Sequence, residues 1–232
     1  MDERSRRAEA VAEGRINARP GKPRSSGRRG LHPLGLTKGR DGLLYVPESY
    51  SADRPAPLAV MLHGAGGDAR GGVAPFQPLA DEAGLLVFAP DSRRPTWDVI
   101  HGGFGADVAY IDEALAWIFD RYAVNPARVA AGGFSDGASY ALSIGLTNGG
   151  LFTHVIAFSP GFMAPAERQG KPRIYISHGT RDRVLPIDAC SRKLVPRLQR
   201  EGYDLLYREF DGPHTVPGEI AREGLSWFLG AQ

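Results

Sequence analysis

Cysteine is almost absent from this 232-residue chain: Cys190 stands alone, so no internal disulfide can form, which fits a reducing compartment. Long apolar runs are missing too. No stretch of about 18 hydrophobic residues occurs, which argues against a membrane-spanning helix. The N-terminal stretch "MDERSRRAEAVAEGRINARPGKPRSSGRRG" lacks the apolar centre of a secretory signal, so the expected location is the cytoplasm. Net charge is small as well, at +2, but it is unevenly spread. Residues 1–30 carry nine basic and four acidic residues, leaving 19 basic and 22 acidic in the remainder. The positive excess therefore belongs to the N-terminal segment, which reads as a basic, flexible, solvated arm. Contact of that arm with nucleic acid or anionic lipid is the alternative, and no nucleic-acid partner is expected.

What is present suits one compact unit over residues 31–232, with 42% hydrophobic and 23% charged residues. Short apolar runs recur at 42–50, 57–67, 84–92, 128–135, 154–161, 173–180 and 203–212, the pattern of strands buried on both faces. Helical periodicity lies between them. Val108, Ile111, Leu115, Ile118 and Tyr122 make one apolar stripe over 107–122. Residues 187–201 repeat the pattern with Pro196 inside, which should kink or shorten the helix, and 217–229 forms a last one. This alternation predicts an α/β fold with a mostly parallel sheet and helices on both faces. Ligands in such folds collect where loops leave the carboxyl ends of the strands, so the residues just past each apolar run are the functional candidates.

Ser135 is one of them. It sits in Gly133-Phe134-Ser135-Asp136-Gly137, after the strand-like "RVAAG" and before the helix-like "ASYALSIGL". Glycine and serine are common, and Ser135 as a helix cap is the plain reading of the pentapeptide alone. The strand, turn and helix order also suits a nucleophile on a sharp turn, which needs small flanking residues and a helix N-terminus near developing charge. A serine hydroxyl needs a base, and the base an orienting group. His214, in "EFDGPHTVPGE", follows the last strand, and Asp182, in "YISHGTRDRVLP", follows the one before it. Ser135, Asp182 and His214 thus form a candidate triad in the order this arrangement requires. Asp188 fits helix capping better, Asp211 lies too near His214 to occupy a separate loop, and His178 suits support of the acid loop. One oxyanion donor is expected from the backbone N–H of Asp136. The other is expected from Ala65 in "MLHGAGG", where Gly64, Gly66 and Gly67 let backbone approach a substrate. A phosphate cradle would want Lys and Ser/Thr after those glycines, and "GGDAR" has neither.

On "HGAGG", "GGFSDGAS", "HGTRDRVLP" and "GPH", the chain from about residue 42 onward resembles the α/β-hydrolase superfamily. The likeness is nearest to its phospholipase/carboxylesterase branch and the neighbouring polyhydroxybutyrate depolymerase and feruloyl esterase-like proteins. The resemblance implies a serine carboxylic ester hydrolase with a small-molecule ester substrate and no metal or organic cofactor. His214 would serve as base and then acid, with Asp182 fixing its tautomer. A thioesterase or acyltransferase using the same residues, or a binding protein on the same fold, are the alternatives. Many relatives carry Gln or Asn where this chain has Asp136. The short "MAPAERQG" leaves little room for a lid, which favours short to medium acyl groups. Trp97 and Phe162 have two open readings each, as walls of a substrate pocket or as ordinary packing. Monomer and homodimer both fit the sequence.

Overall fold

The computed structural model describes residues 3–230. After helix α1 (Glu3–Ala12) come strands β1 (Gly30–Pro33), β2 (Gly42–Val46) and β3 (Ala56–Leu62). Helices α2 (Ala69–Val73) and α3 (Gln77–Ala83) lead to β4 (Leu86–Pro90). A 3-10 turn at Asp98–His101 precedes α4 (Ala106–Arg121), β5 (Val124–Phe134) and α5 (Asp136–Thr147). Then follow β6 (His154–Phe158), β7 (Arg173–Gly179), α6 (Ser191–Arg200), β8 (Leu205–Phe210) and α7 (Gly218–Leu229).

The strands form one sheet in the order β1-β2-β4-β3-β5-β6-β7-β8. β1, β2 and β4 pair antiparallel, and every later pairing is parallel. Successive residues of the central strands feed opposite faces. Leu58, Val60 and Leu62 join one core with α4, α5 and α6, whereas Ala59 and Met61 join a second core with α2, α3 and α7. The strands are therefore apolar throughout because both faces are covered, as the continuous runs predicted. The chain moves from β3 outward to β4, then crosses to β5 on the other side of β3. That reversal opens a crevice at the carboxyl ends of β3 and β5.

Three local expectations change. β1 was not legible: it is a four-residue edge strand held by its pairing with β2. α6 starts at Ser191 rather than 187 and runs through Pro196. The largest correction concerns residues 1–30, because the segment after α1 is not a free arm. Ile16 is 1% exposed, and its N–H donates to Asn148 Oδ1 at 2.9 Å. The Asn148 amide donates in turn to the Gly14 carbonyl, and Asp112 Oδ1 accepts from the N–H groups of Asn17 and Ala18. Arg15 reaches Glu167 and the Thr147 carbonyl, and Tyr122 donates its hydroxyl hydrogen to the Arg28 carbonyl. Composition suggested solvation, but one buried isoleucine and a set of donors and acceptors on the body hold the segment across α4 and α5.

Candidate functional site

β5 ends at Phe134, α5 begins at Asp136, and the residue between them carries the bend. Ser135 has φ 58° and ψ −122°, a conformation that costs a non-glycine residue of order 1–3 kcal/mol. Packing holds it there. The Ser135 N–H donates to the Phe158 carbonyl of β6 at 3.0 Å. A Cβ on Gly133 would lie 2.6 Å from the Gly137 carbonyl group, and one on Gly137 would lie 2.1 Å from the Leu62 oxygen. Only glycine at both positions lets α5 pack this close to β3. Ser135 makes no side-chain cap to the helix; its hydroxyl points elsewhere.

Ser135 Oγ lies 2.9 Å from His214 Nε2, and His214 Nδ1 lies 2.5 Å from Asp182 Oδ2. An imidazole protonated at Nδ1 donates to the carboxylate and leaves Nε2 free to accept the serine proton. The structure thus brings together three residues from the loops after β5, β7 and β8. The last two of those loops are tied to each other: Thr180 N–H donates to the Phe210 carbonyl and Arg181 N–H to the Gly212 carbonyl. The Phe134 ring packs 4.6 Å from the imidazole, centroid to centroid.

Asp182 is held as a carboxylate. Burial pushes it towards the acid form, but the N–H groups of Leu185 and Val184 and the His214 imidazole outweigh that, so it stays below the ordinary carboxylate range. His178 supports it from within the core. Its Nε2 lies 2.8 Å from the Leu185 carbonyl and 3.2 Å from Asp182 Oδ2. A carbonyl only accepts, so Nε2 bears the hydrogen and Nδ1 accepts from Ser191 Oγ at 2.7 Å. Burial lowers the His178 pKa, favouring that neutral form. The competing acids are engaged elsewhere, Asp188 with Arg192 and Asp211 with Arg181.

The loop after β3 faces the same serine, for a Cβ on Gly64 would lie 3.4 Å from Ser135 Cβ. Its key peptide is oriented by His63, a residue that sequence reasoning missed. His63 Nε2 accepts from the Ser92 N–H at 3.0 Å, so Nδ1 carries the hydrogen and donates to the Gly64 carbonyl at 2.7 Å. The Gly67 N–H meets the same carbonyl at 3.1 Å. The peptide is planar and trans, so the Ala65 N–H points the opposite way, free of that turn. Burial, the largest influence on His63, lowers its pKa and favours the neutral ring.

Asp136 stands at the first position of α5, and its Oδ2 accepts from Thr96 Oγ1 at 2.7 Å. Of the two readings of Trp97, its burial favours packing. Its indole is 0% exposed, stacks on Tyr140 at 5.0 Å and donates Nε1–H to the His63 carbonyl at 2.9 Å. A buried indole N–H needs an acceptor, and the His63 carbonyl just past β3 supplies it. Phe162 is half-buried against the core around α5, and its N–H approaches Ser139 Oγ at 3.3 Å. Ser139, Ser143 and Thr147, one per turn of α5, accept from the N–H groups of Gly161, Ala164 and Ala166 respectively. The i, i+4 spacing of those hydroxyls was visible in the sequence, but their partners were not. The segment after β6 is thereby fastened down. An open recess of about 570 Å³, lined by Arg181, Arg183, Val184, Pro213 and His214, adjoins the imidazole. Among the described residues, no group of three or more His, Cys, Asp and Glu side chains could hold a metal ion, and no helix is long and apolar enough to cross a membrane.

A mostly parallel sheet whose serine turn, acid loop and histidine loop converge in this way defines the α/β-hydrolase fold. Solved structures of that fold superpose closely. Esterase PE8 matches with a TM-score of 0.67 at 23% identity, covering 88% of this chain and 100% of its own. The CE1 ferulic acid esterase of Anaeromyces mucronatus matches with a TM-score of 0.66 at 19% identity, covering 94% and 98%. In sequence, the protein named "Probable feruloyl esterase C" of Aspergillus oryzae is 29% identical over 167 residues, 68% of this chain. The match spans 60% of that relative's length. The Esterase family model matches residues 36–216, and the chain belongs to that family.

Proposed function

We propose that the protein is a serine carboxylic ester hydrolase that works through an acyl-Ser135 intermediate. The single observation that carries this reading is the continuous Ser135–His214–Asp182 chain, in which a strained serine gives its hydroxyl to an imidazole instead of capping its helix. Ser135 Oγ attacks the ester carbonyl carbon while His214 Nε2 takes the hydroxyl proton, and the carbonyl π electrons move onto oxygen. The Ala65 and Asp136 N–H groups stabilise that oxyanion. Its collapse breaks the bond to the alkoxy oxygen, which leaves as the alcohol with the proton from His214. Water, deprotonated by the same imidazole, attacks the acyl carbon, and Ser135 departs with its proton restored. Asp182 stabilises the imidazolium in both halves.

The substrates proposed are esters with short to medium acyl groups. The open mouth beside His214 and the pinned segment after β6 support this, because neither forms a deep acyl tunnel or a lid. The names of the relatives add aromatic hydroxycinnamoyl esters to the range worth testing. Stopped-flow assays on p-nitrophenyl acetate, butyrate and octanoate, with methyl ferulate alongside, should give a burst of alcohol followed by steady turnover. Ser135→Ala should lower kcat by about three orders of magnitude or more. Turnover of Ser135→Ala at the wild-type rate would overturn the proposal.

A further inference from the structure

Three consecutive residues after β4 reach both halves of the oxyanion site. The Pro95 carbonyl accepts from the Gly66 N–H at 2.7 Å, fastening the loop that holds Ala65. Thr96 Oγ1 donates to Asp136 Oδ2 at 2.7 Å, fastening the first residue of α5. Trp97 Nε1 donates to the His63 carbonyl at 2.9 Å, and its ring lies between His63 and Tyr140, which is one turn along α5 from Asp136. The three-residue segment is itself anchored behind: the Asp98 N–H donates to Asp107 Oδ2 at 2.7 Å and the Asp107 N–H to Asp98 Oδ2 at 2.9 Å.

The two oxyanion donors lie 71 positions apart in sequence and belong to separate elements. Their spacing must match one oxygen atom to within a few tenths of an ångström to be useful. Asp136 adds a second demand, since its carboxylate is covalently next to a donor N–H and, if free to turn, would oppose negative charge developing there. The Thr96 hydroxyl holds the Asp136 carboxylate, and the covalent link to Pro95, whose carbonyl holds the Gly66 N–H, couples that bond to the loop of the other donor. We propose that Thr96 is a positioning residue that sets the spacing of the two oxyanion donors and holds the Asp136 carboxylate away from the oxyanion. This rests on the acyl-serine reading above. Thr96 touches no reacting atom; it acts through Asp136.

The test measures kcat and KM on p-nitrophenyl butyrate for full-length Thr96→Val, Thr96→Ser, Asp136→Asn and the Thr96→Val/Asp136→Asn double variant, with thermal melting as a control for folding. Thr96→Val should lower kcat about tenfold with KM changed less than about twofold, because the interaction matters only in the transition state. Thr96→Ser, which restores the hydroxyl, should recover at least about half of wild-type kcat. Asp136→Asn placed in the Thr96→Val background should raise kcat, since an amide has no charge to turn against the oxyanion. Wild-type kcat in Thr96→Val, or losses that multiply in the double variant, would overturn the positioning role. A low kcat in Thr96→Ser with an unchanged melting temperature would do the same. Activity surviving in Ser135→Ala would instead overturn the acyl-serine reading, so the two failures are distinguishable.

Discussion

At the scale of single residues, the site depends on groups too small or too tightly paired to be exchanged. Ser135 occupies a backbone conformation that β-branched and bulky residues avoid, and it stays there because glycines on both sides admit the neighbouring backbone. The added Cβ of Gly137→Ala would meet the Leu62 and His63 carbonyl oxygens at 2.1 and 2.5 Å, and both belong to backbone that cannot swing aside. We expect this substitution to destabilise the protein by at least about 3 kcal/mol in urea denaturation, or to prevent soluble expression. A variant within about 0.5 kcal/mol of wild type would show that α5 can move away from β3 at little cost. Two histidines that are not part of the proton path illustrate the same economy. His63 and His178 are both buried and neutral, each with its tautomer fixed by one partner that only donates or only accepts. One orients the Gly64–Ala65 peptide, and the other braces the acid loop.

At the scale of elements, α5 does more than present the serine. Its hydroxyl side chains at Ser139, Ser143 and Thr147 each donate to the carbonyl four residues earlier and accept from the segment after β6. Helix and segment are thereby held as one surface beside the site. The N-terminal segment reinforces the far end of the same helix through Asn148, Arg15 and Ile16. Its charge complements the body, as Arg15 with Glu167 and Arg24 with Asp120 show, though the Arg24 side chain is exposed and such pairs contribute little. The apolar anchor should dominate. Ile16→Ala should cost about 2–4 kcal/mol in urea denaturation while kcat at 20 °C stays within about twofold of wild type. A loss below about 0.5 kcal/mol would mean that the segment lies on the surface without contributing to it.

At the scale of the whole molecule, stability against pH should carry the mark of the buried acids behind residues 95–97. Asp107 is 2% exposed, and burial is the main reason its pKa is pushed up to about 6, against which its hydrogen bonds from Arg93 and Asp98 act; burial raises Asp98 too. The folded state therefore holds more protons than the unfolded chain between pH 4 and pH 6, so this contribution to stability is present at pH 4 and is lost as pH rises to 6. Asp182 has the opposite sign, but its depressed pKa places its window below that range. The melting temperature of Asp107→Asn should accordingly vary less between pH 4 and pH 6 than that of the wild type. An equal slope in both proteins would place the titration elsewhere.

Much of this architecture was legible locally. The central strands announced themselves as apolar runs because both faces of the sheet are covered there, β2 and β8, towards the two ends of the sheet, as partly buried ones, and α4 and α7 as stripes because each buries only one side. Ser135, Asp182 and His214 stood out because each follows a strand, where a parallel sheet gathers its loops. What composition misjudged was the N-terminal segment, since its anchoring contacts involve one isoleucine and hydrogen-bond partners about 95 to 135 positions away. Trp97 was ambiguous for a similar reason: whether an indole walls a pocket or lies beneath a loop depends on where its N–H finds an acceptor. The sequence by itself determined the layering of helices on both faces of a mostly parallel sheet and singled out Ser135, Asp182 and His214, because periodicity and covalent neighbourhood are local properties. Only the tertiary structure decided what holds the surrounding loops, including the His63 bond to the Gly64 carbonyl, the His178 bond to the Leu185 carbonyl and the Thr96 bond to Asp136. Hydrogen bonds across separate elements leave no pattern along the chain.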